Sequence, residues 1–321
     1  MNRLSKDSAS WHEIDENAHD QRIDNYLHRL LKGVPKTHIY RILRSGEVRV
    51  NSGRVEASYR LQSGDRVRIP PVATSRAGVS TAGPAPRPKL KPHVLFEDEH
   101  LLVLNKPAGR AVHGGSGISL GIVEQLRLER PEAKFLELVH RLDRDTSGVL
   151  LLAKKRSALT ALHADLREGR VRKYYSVLVH GAWRAARQDV RLALDKHVLA
   201  SGERRVSVSE QGQTAHTVFR LAERRGNFSL LDAELKTGRT HQIRVHLAHL
   251  GFPIAGDDKY GDFALNRQLI SVGLKRMFLH AARVVLKHPA TGLATDFHAP
   301  LPPELGQFLA RAADLDVTAT V

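Results

Sequence analysis

The feature that most constrains this chain is a break in composition over residues 73–92. That stretch reads ATSRAGVSTAGPAPRPKLKP, in which Val79 and Leu90 are the only large apolar residues among Pro, Gly, Ala and Ser. It has too little apolar surface to build a core, and its composition is typical of a flexible linker. The sequence therefore predicts two folding units, one on each side of residues 73–92.

Charge is distributed unevenly along the chain. Residues 1–20 carry 2 basic and 5 acidic residues without apolar periodicity, which predicts a flexible tail. Residues 21–92 carry 15 basic and 4 acidic residues, whereas residues 93–321 carry 33 and 25. The formal net charge of the 321 residues is +16, and such a surplus favours an anionic partner, either nucleic acid or an acidic membrane face.

Composition also excludes several classes of protein. The chain has no cysteine, which removes disulfides, thiolate nucleophiles and zinc fingers together. Its N-terminus has no apolar signal segment, and its longest apolar run, Val149–Ala153, is too short to span a bilayer. The 41% of hydrophobic residues are enough for a real core. Because cysteine and an apolar signal segment are both absent, we expect a soluble cytoplasmic protein.

Residues 21–72 predict two helices followed by a hairpin. Apolar residues at helical spacing define the helices, with Gly33 and Gly46 at their ends and Pro35 in the first turn of the second. These apolar residues are Ile23, Tyr26, Leu27, Leu30 and Leu31 in the first helix, and Ile39, Ile42 and Leu43 in the second. Alternation of apolar and basic residues over 48–50 and 66–69 predicts two half-buried strands.

Together, RIDNYLHRLL, THIYRILRSGEVRVNSGRV and LQSGDRVRIPP resemble the S4 RNA-binding domain. An arginine stripe on a single helix is also compatible with a simple solvated face. The resemblance implies an S4 domain over residues 21–72 that presents its second helix to structured RNA, with Lys36, Arg41 and Arg44 as RNA-binding residues. Aromatic residues are few, so we expect contacts to RNA shape and phosphates.

The segment from Val94 begins with two predicted strands joined by an acidic turn over 97–99. Lys106 to Gly109 then turns the chain out of the sheet, and His113 follows in a glycine-rich loop. By itself this loop has the composition of an ordinary tight connection.

Two apolar runs, 138–139 and 149–153, bracket the loop HRLDRDTSG over 140–148. Ionisable groups between buried strands cost desolvation free energy, which favours a functional role for them. Two carboxylates beside two arginines allow three interpretations: surface ion pairs, a metal site, or a nucleophilic carboxylate kept ionised by arginine. The metal site is disfavoured because the carboxylates are few and adjacent guanidinium groups repel a cation.

A third informative stretch, 235–261, reads LKTGRTHQIRVHLAHLGFPIAGDDKYG. Ile243, Leu247 and Leu250 at helical spacing predict a helix that ends at Gly251. Its histidines (His241, His246 and His249) lack the i, i+4 spacing and the glutamate of a zinc protease helix, so a zinc site is disfavoured. We expect basic groups that face RNA or the carboxylate loop.

In order and spacing, NKPAG with a following histidine, HRLDRDTSG, KYY and LKTGRTHQIRVH resemble the motifs of the RluA-type pseudouridine synthases. The S4-like segment, LHA over 279–281 and APLP over 299–302 are most similar to the RluC subgroup, which acts on large-subunit ribosomal RNA. The resemblance covers nearly the whole chain after residue 20. It implies an α/β mixed (α+β) fold: a small S4 domain, the linker, and a catalytic domain over 93–321 on a mostly antiparallel curved sheet.

The resemblance also implies residue roles. Asp143 is the catalytic aspartate and Arg244 its guanidinium partner, whereas Asp145 is not required to be acidic. Tyr175 packs under the uracil and is a candidate acid or base, although the adjacent Tyr174 leaves open which ring faces the base. The implied RNA-binding residues of this domain are Arg141, which fills the gap left by the flipped base, together with Arg239, Lys106 and His113.

On this basis we expect a monomer that isomerises uridine in 23S ribosomal RNA, or in a large-subunit precursor, without metal or organic cofactor. Two alternatives stay open. One is a ribosome-assembly factor that binds RNA without catalysis, and the other is a metal-dependent RNA hydrolase.

Overall fold

The computed structural model of the chain describes residues 8–31, 33–72, 89–90, 93–114, 120–199 and 203–315. The chain divides into two compact units, residues 1–87 and residues 88–321, and each has its own hydrophobic core. The boundary falls inside the stretch 73–92 predicted as a linker, nearly all of which lies outside the described residues.

In its described part, the N-terminal unit consists of two helices and three short strands. Along the chain these are β1 (Ser10–Glu13), α1 (Ile23–Leu30), α2 (Lys36–Arg44), β2 (Arg49–Val50) and β3 (Arg66–Ile69). Both helices and the last two strands lie where the apolar spacing predicts them. Pro35 sits directly before α2 with a φ of −57°, so its fixed backbone angle helps to start that helix.

The prediction of a flexible tail over residues 1–20 is wrong for residues 10–20. β1 pairs antiparallel with β3, so the strand order is β1-β3-β2. Ile14 and Ala18 follow β1, are each only 2% exposed, and pack into the core formed by α1 and α2. Two buried apolar residues four positions apart give too weak a periodicity to be recognised without the sheet that covers them.

In the described part of the C-terminal unit, ten strands form one sheet and two more form a hairpin. Their bounds are β4 (Val94–Glu97), β5 (Leu101–Lys106), β6 (Glu137–Leu138), β7 (Ser147–Ala153), β8 (Arg172–His180), β9 (Arg187–Arg191), β10 (Leu194–Val198), β11 (Arg204–Val208), β12 (His216–Arg225), β13 (Phe228–Leu235), β14 (Leu279–Lys287) and β15 (Ala294–His298). The sheet order is β4-β5-β7-β14-β8-β13-β12-β9, with β6 on β7 and β15 on β14. Among its described pairings only β7 with β14 is parallel, which confirms the mixed α/β fold with a mostly antiparallel sheet.

Helices cover both faces of this sheet. They are α3 (Ile122–Glu129), α4 (Arg156–Arg167), α5 (Gln242–His249), α6 (Phe263–Ser271) and α7 (Pro303–Arg311). Leu102 and Leu104 of β5 share a core with α3 and α5, whereas Leu101 and Val103 share another with α4. Because both faces of β5 are covered, its sequence is a continuous apolar run rather than an alternation.

Gly148 is required where β7 begins beside β14. Its φ is +110°, and a Cβ atom there would lie 2.2 Å from the carbonyl oxygen of Ala281. A side chain would therefore push the two strands apart. This close approach fixes the point at which the loop 140–146 enters the sheet. No helix in the described ranges is both long and apolar enough to cross a membrane.

We predict that Ile14→Ala destabilises the N-terminal unit, because it removes buried side-chain volume from a packed core. Large-to-small changes of this kind cost about 2–5 kcal/mol. Hydrogen exchange of β3 amides in the full chain, followed by mass spectrometry, measures the loss. Glu13→Ala, at an exposed position of β1, is the matched control. Equal exchange in both variants would mean that residues 10–20 act as a tail after all.

Candidate active site

A single lysine holds the carboxylate-bearing loop between β6 and β7. Lys106, at the end of β5, donates from Nζ to the carbonyl oxygens of Thr146 (2.7 Å), Arg144 (2.8 Å) and Pro107 (2.9 Å). The side chain is fully buried, and burial lowers the pKa of Lys106 to about 7. The three carbonyl acceptors favour its charged form. The prediction that Lys106 binds RNA is therefore wrong, because all three ammonium hydrogens are engaged inside the protein.

Arg276 holds the same loop from the segment before β14. Its Nη2 donates to the carbonyl oxygen of Asp145 at 3.2 Å and to the hydroxyl of Ser147 at 2.8 Å. That hydroxyl also lies 2.9 Å from Nδ1 of His280 on β14. The loop is thus hydrogen-bonded on both sides of Thr146.

A cavity of about 530 Å³ opens beside this loop, within the usual size range of small-ligand sites. Its walls come from the loop, the end of α4, the start of β8, and the segment that leads from β13 into α5. The lining residues are His140, Arg141, Leu142, Asp143, Thr146, Leu166, Arg167, Lys173, Tyr175, Leu235, Lys236, Thr237, Gly238, Arg239, Thr240, His241, Gln242, Ile243, Arg244 and Leu279. Asp143 is the only acidic residue in this set.

Arg244 connects Asp143 to a second, buried carboxylate. Its Nη1 donates to Oδ2 of Asp143 at 3.2 Å, although the two residues are 101 positions apart in the sequence. Its Nε and Nη2 donate to the two carboxylate oxygens of Asp257, at 2.8 and 2.7 Å. The guanidinium also lies 5.1 Å from the ring centre of Tyr260. A two-point contact of this kind fixes the plane of the guanidinium, and hence the direction of Nη1.

Asp257 is ionised by its surroundings despite full burial. Burial by itself raises the pKa of Asp257, but the hydrogen bonds and charge of Arg244 lower it below its ordinary value. Oδ1 of Asp257 also accepts from the backbone amides of Lys259 (2.8 Å) and Tyr260 (3.0 Å). The Asp257 carboxylate therefore serves as a fixed anchor for Arg244.

His241 reaches the other oxygen of Asp143. Its Nε2 lies 3.8 Å from Oδ1 of Asp143, and its Nδ1 lies 2.8 Å from the hydroxyl of Tyr260. The Tyr260 oxygen already accepts from the Val206 amide at 3.1 Å, so its proton can go to Nδ1 of His241. Burial lowers the pKa of His241, the Asp143 carboxylate opposes this, and the net shift favours the neutral ring. In that tautomer Nε2–H faces Asp143.

The backbone at His241 is in the left-handed region, with a φ of +53° directly before α5. A non-glycine residue there costs free energy, and such strain is often found at functional sites. The Tyr260 contact and the start of α5 hold the ring in this position. The structure thus places His241 beside Asp143, in the carboxylate loop that residues of this stretch were expected to face.

The structure resolves which tyrosine faces the cavity. Tyr175 is buried and lines it, and burial together with the Asp143 charge raises the pKa of Tyr175, so its phenol stays protonated. Tyr174 points to the opposite face of β8, where its ring lies 5.3 Å from the guanidinium carbons of Arg172 and Arg283. Neighbouring residues of a strand face opposite sides of the sheet, so only one of the two rings can reach the cavity.

The remaining predicted residues fall into three groups. Arg141 and Arg239 are exposed and line the cavity, and Nε of Arg239 donates to the Thr214 carbonyl oxygen at 3.1 Å. His113 is exposed and does not line it. The N-terminal unit carries the third group, which is exposed on α2: Lys36, Arg41 and Arg44. Asp145 pairs with Arg144 at 3.0 Å and does not line the cavity either.

The three histidines around α5 do not converge. His246 is buried and lies 3.0 Å from the Thr217 hydroxyl, whereas His249 is exposed. Across the described ranges, no three His, Asp or Glu side chains come together as metal ligands.

Sequence reasoning missed Asp257 and Tyr260, although both lie in the stretch 235–261 that it singled out. The signal available there was the polar run DDKYG after an apolar segment, but its spacing does not indicate which acid turns inward. Lys173 was quoted only as part of a motif, and Arg167 was not considered. Both line the cavity.

Two family profiles match the chain. The profile described as RNA pseudouridylate synthase matches residues 100–249, and the S4 domain profile matches residues 21–67. Ribosomal large subunit pseudouridine synthase C from Pasteurella multocida (strain Pm70) is 55% identical over 299 residues, which is 92% of this chain and 91% of that protein. The protein of the same name from Escherichia coli (strain K12) is 53% identical over 285 residues, with 88% and 89% covered.

Solved structures give the same result for the fold. Human RNA pseudouridylate synthase domain containing 4 superimposes with a TM-score of 0.57 at 25% identity, covering 70% of this chain and 94% of that chain. Human RNA pseudouridylate synthase domain containing 1 has a TM-score of 0.54 at 26% identity, with 64% and 82% covered.

We predict that Lys106→Met lowers stability without changing the salt dependence of RNA binding. The substitution leaves three carbonyl groups without their donor, and each such loss costs about 1–3 kcal/mol. Urea unfolding and RNA titrations at several salt concentrations measure the two effects, with exposed Lys134→Met as control. The slope of log K for RNA binding against log salt concentration falls by about 0.7–0.9 when one phosphate contact is lost. A Lys106→Met variant that stays stable and shows such a fall would restore the interpretation of Lys106 as an RNA contact.

Proposed function

This chain belongs to the RNA pseudouridylate synthase family, and we propose that it converts uridine to pseudouridine in large-subunit ribosomal RNA. The observation that carries the proposal is Asp143, which is the only acidic group among the described residues that line the cavity and is held by Arg244 at 3.2 Å. Relatives that share more than half of their residues with this chain along nearly its whole length support the choice of RNA substrate.

The reaction is an isomerisation that needs no external reactant. The bond from C1′ of the ribose to N1 of the uracil breaks, and a new bond forms from C1′ to C5. The hydrogen on C5 leaves as a proton, and N1 gains a proton, so atoms and electrons balance. The site must therefore supply one ionised group at the sugar or base and a route for one proton.

We assign the ionised group to Asp143. Arg244 places its positive charge beside this carboxylate and orients it, while Asp257 holds Arg244. A carboxylate in this position can attack, or can stabilise positive charge as the glycosidic bond breaks. Arg244 touches the reacting carboxylate, and Asp257 acts through Arg244 as a positioning residue.

We assign Tyr175 to the face of the uracil. Its ring lines the cavity, and its raised pKa keeps the hydroxyl protonated near neutral pH. A protonated phenol can pack under the base and donate a proton or hydrogen bond, whereas acting as a base would require losing a proton that burial retains. This favours the packing and donor roles over that of a general base.

The two alternatives are less well supported. An assembly factor that only binds RNA has no use for Asp143, Arg244 and Asp257 in this joined arrangement. A metal-dependent hydrolase needs several oxygen or histidine ligands around one point, whereas Asp143 is hydrogen-bonded to the guanidinium of Arg244 and is the one acid among the described lining residues. We therefore expect the reaction to proceed in the presence of a chelator.

We predict that Asp143→Asn abolishes isomerisation and leaves RNA affinity nearly unchanged. The amide keeps the shape of the side chain but cannot act as an ionised group, so kcat falls by about a thousandfold or more. The assay incubates the full chain with ribosomal RNA in EDTA, and scores both pseudouridine and strand cleavage.

Asp145→Asn is the matched control, because it removes a carboxylate from an ion pair outside the cavity. Exposed pairs of this kind contribute at most about 1 kcal/mol. Equal losses in the two variants would contradict the assignment of Asp143. Strand cleavage, or activity lost in EDTA and restored by zinc, would favour the hydrolase.

The N-terminal unit is assigned to RNA binding, which its S4 match and its exposed cations on α2 support. We predict that the double substitution Arg41→Ala, Arg44→Ala raises KM much more than it lowers kcat. The reason is that contacts far from the reacting base stabilise the bound RNA and the transition state equally. The slope of log K against log salt should flatten by about 1.4–1.8 for two lost phosphate contacts.

The control replaces two exposed cations of the other unit, Arg224 and Lys287, by alanine. An unchanged affinity and slope in the Arg41, Arg44 variant would exclude α2 as an RNA contact. The binding surface would then lie around Arg141 and Arg239.

A further inference from the structure

Lys173 differs from the other buried cations of the active site. Lys106 donates to three carbonyl oxygens, and Arg244 donates hydrogen bonds to the carboxylates of Asp143 and Asp257. Lys173 is half-buried in the cavity wall, yet within the described residues its Nζ has neither a hydrogen bond nor a carboxylate partner. A half-buried cation without a partner in a cavity wall is available to an anion, and a ligand that enters the cavity can supply one.

The position of Lys173 indicates where that anion would sit. Lys173 and Tyr175 are two residues apart on β8, and both line the cavity. A strand rises about 3.3 Å per residue, so their Cα atoms lie about 7 Å apart along it. With the uracil packed on Tyr175, as assigned above, the ammonium of Lys173 stands on the same face of β8, within reach of the rest of that nucleotide.

The opposite side of this region is open because residue 238 is a glycine. A Cβ atom on Gly238 would lie 3.4 Å from Nζ of Lys173, at the limit of ordinary contact. Any larger side chain would occupy the space in front of the ammonium. Burial also lowers the pKa of Lys173, as expected for an ammonium that lacks an anion.

Arg167 adds a second cation to the same wall. It lies in the last turn of α4, is exposed, and lines the same cavity as Lys173. The only acidic lining residue, Asp143, is already engaged with Arg244. The unpaired positive charge on this wall therefore suits the phosphates of RNA, which are the anions that the substrate brings.

We propose that Lys173 binds a backbone phosphate adjacent to the flipped uridine and so sets the position of that nucleotide over Tyr175. This inference rests on the proposed isomerase function of the site. Lys173 is a binding residue in this scheme, with no part in bond making or breaking.

The test compares Lys173→Met, Lys173→Arg and the exposed control Lys287→Met with the unaltered chain. The substrate is a short RNA with one mapped target uridine, prepared with ordinary phosphates or with an uncharged methylphosphonate on either side of the target. We expect one methylphosphonate to raise KM of the unaltered chain about tenfold, the scale of a charged hydrogen bond. Lys173→Met should raise KM on ordinary RNA by a similar factor, with little change in kcat, and should lose the sensitivity to methylphosphonate.

Lys173→Arg keeps the charge, so it should retain most of that sensitivity, and Lys287→Met should behave as the unaltered chain does. A Lys173→Met variant that stays as sensitive to methylphosphonate as the unaltered chain would overturn the proposal. A loss confined to kcat would also overturn it, because Lys173 would then act on the base or in the chemistry.

A second measurement follows RNA binding and does not need turnover. It uses two substitutions of Lys173, so that the misfolding of one variant does not decide the result. On whole ribosomal RNA, both Lys173→Met and Lys173→Gln should lower the slope of log K against log salt by about 0.7–0.9, the loss of one phosphate contact. Unchanged slopes in folded variants would contradict the phosphate contact. If the unaltered chain formed no pseudouridine while these slopes still fell, the proposed function would fail and the phosphate contact would stand.

Discussion

The site depends on one buried guanidinium shared by two carboxylates. Burying Arg244 would cost several kcal/mol without partners, and the two-point contact with Asp257 offsets that cost. The same contact fixes the plane of the guanidinium, so its remaining nitrogen meets Asp143 in one direction. Asp257 is itself held by the backbone amides that follow it, and the Tyr260 ring packs against the guanidinium. The position of the Asp143 carboxylate therefore follows from α5 and the turn over 257–260, as much as from its own loop.

Cations also provide the internal support of the carboxylate loop. Lys106 and Arg276 come from distant parts of the sequence, and their contacts with the loop are hydrogen bonds to backbone carbonyls or a hydroxyl. Charged donors make stronger hydrogen bonds than neutral ones, and a network that is fully satisfied becomes rigid. Gly148 adds a geometric limit, since its contact with β14 fixes the end of the loop. In a strongly basic protein, several positive charges thus serve the fold and are not available to RNA.

The two units divide their charges differently. In the N-terminal unit, the cations of α2 lie on the exposed side of a helix whose other side packs into the core, so they face solvent. In the C-terminal unit many cations are paired with acids, and the unpaired ones of the site line the cavity. An excess of +11 over residues 21–92 suits affinity for a polyanion, whereas paired and oriented charges suit chemistry at one nucleotide. The same residue types therefore have different uses, according to what surrounds them.

The sequence alone determined the local elements and the chemistry-bearing loops, because helical spacing, strand alternation and turn residues act over a few positions. Both helices of the N-terminal unit, β5, β7 and α5 follow from such patterns, and the motif around Asp143 indicated the family. Only the tertiary structure decided that Lys106 is internal, that Asp257 anchors Arg244, and that residues 10–20 belong to a core. Strand alternation places Tyr174 and Tyr175 on opposite faces, but which face holds the cavity depends on β14 and α5. The two carboxylates that Arg244 holds are 13 and 101 positions from it in the sequence, and only the folded chain brings all three residues within hydrogen-bond distance.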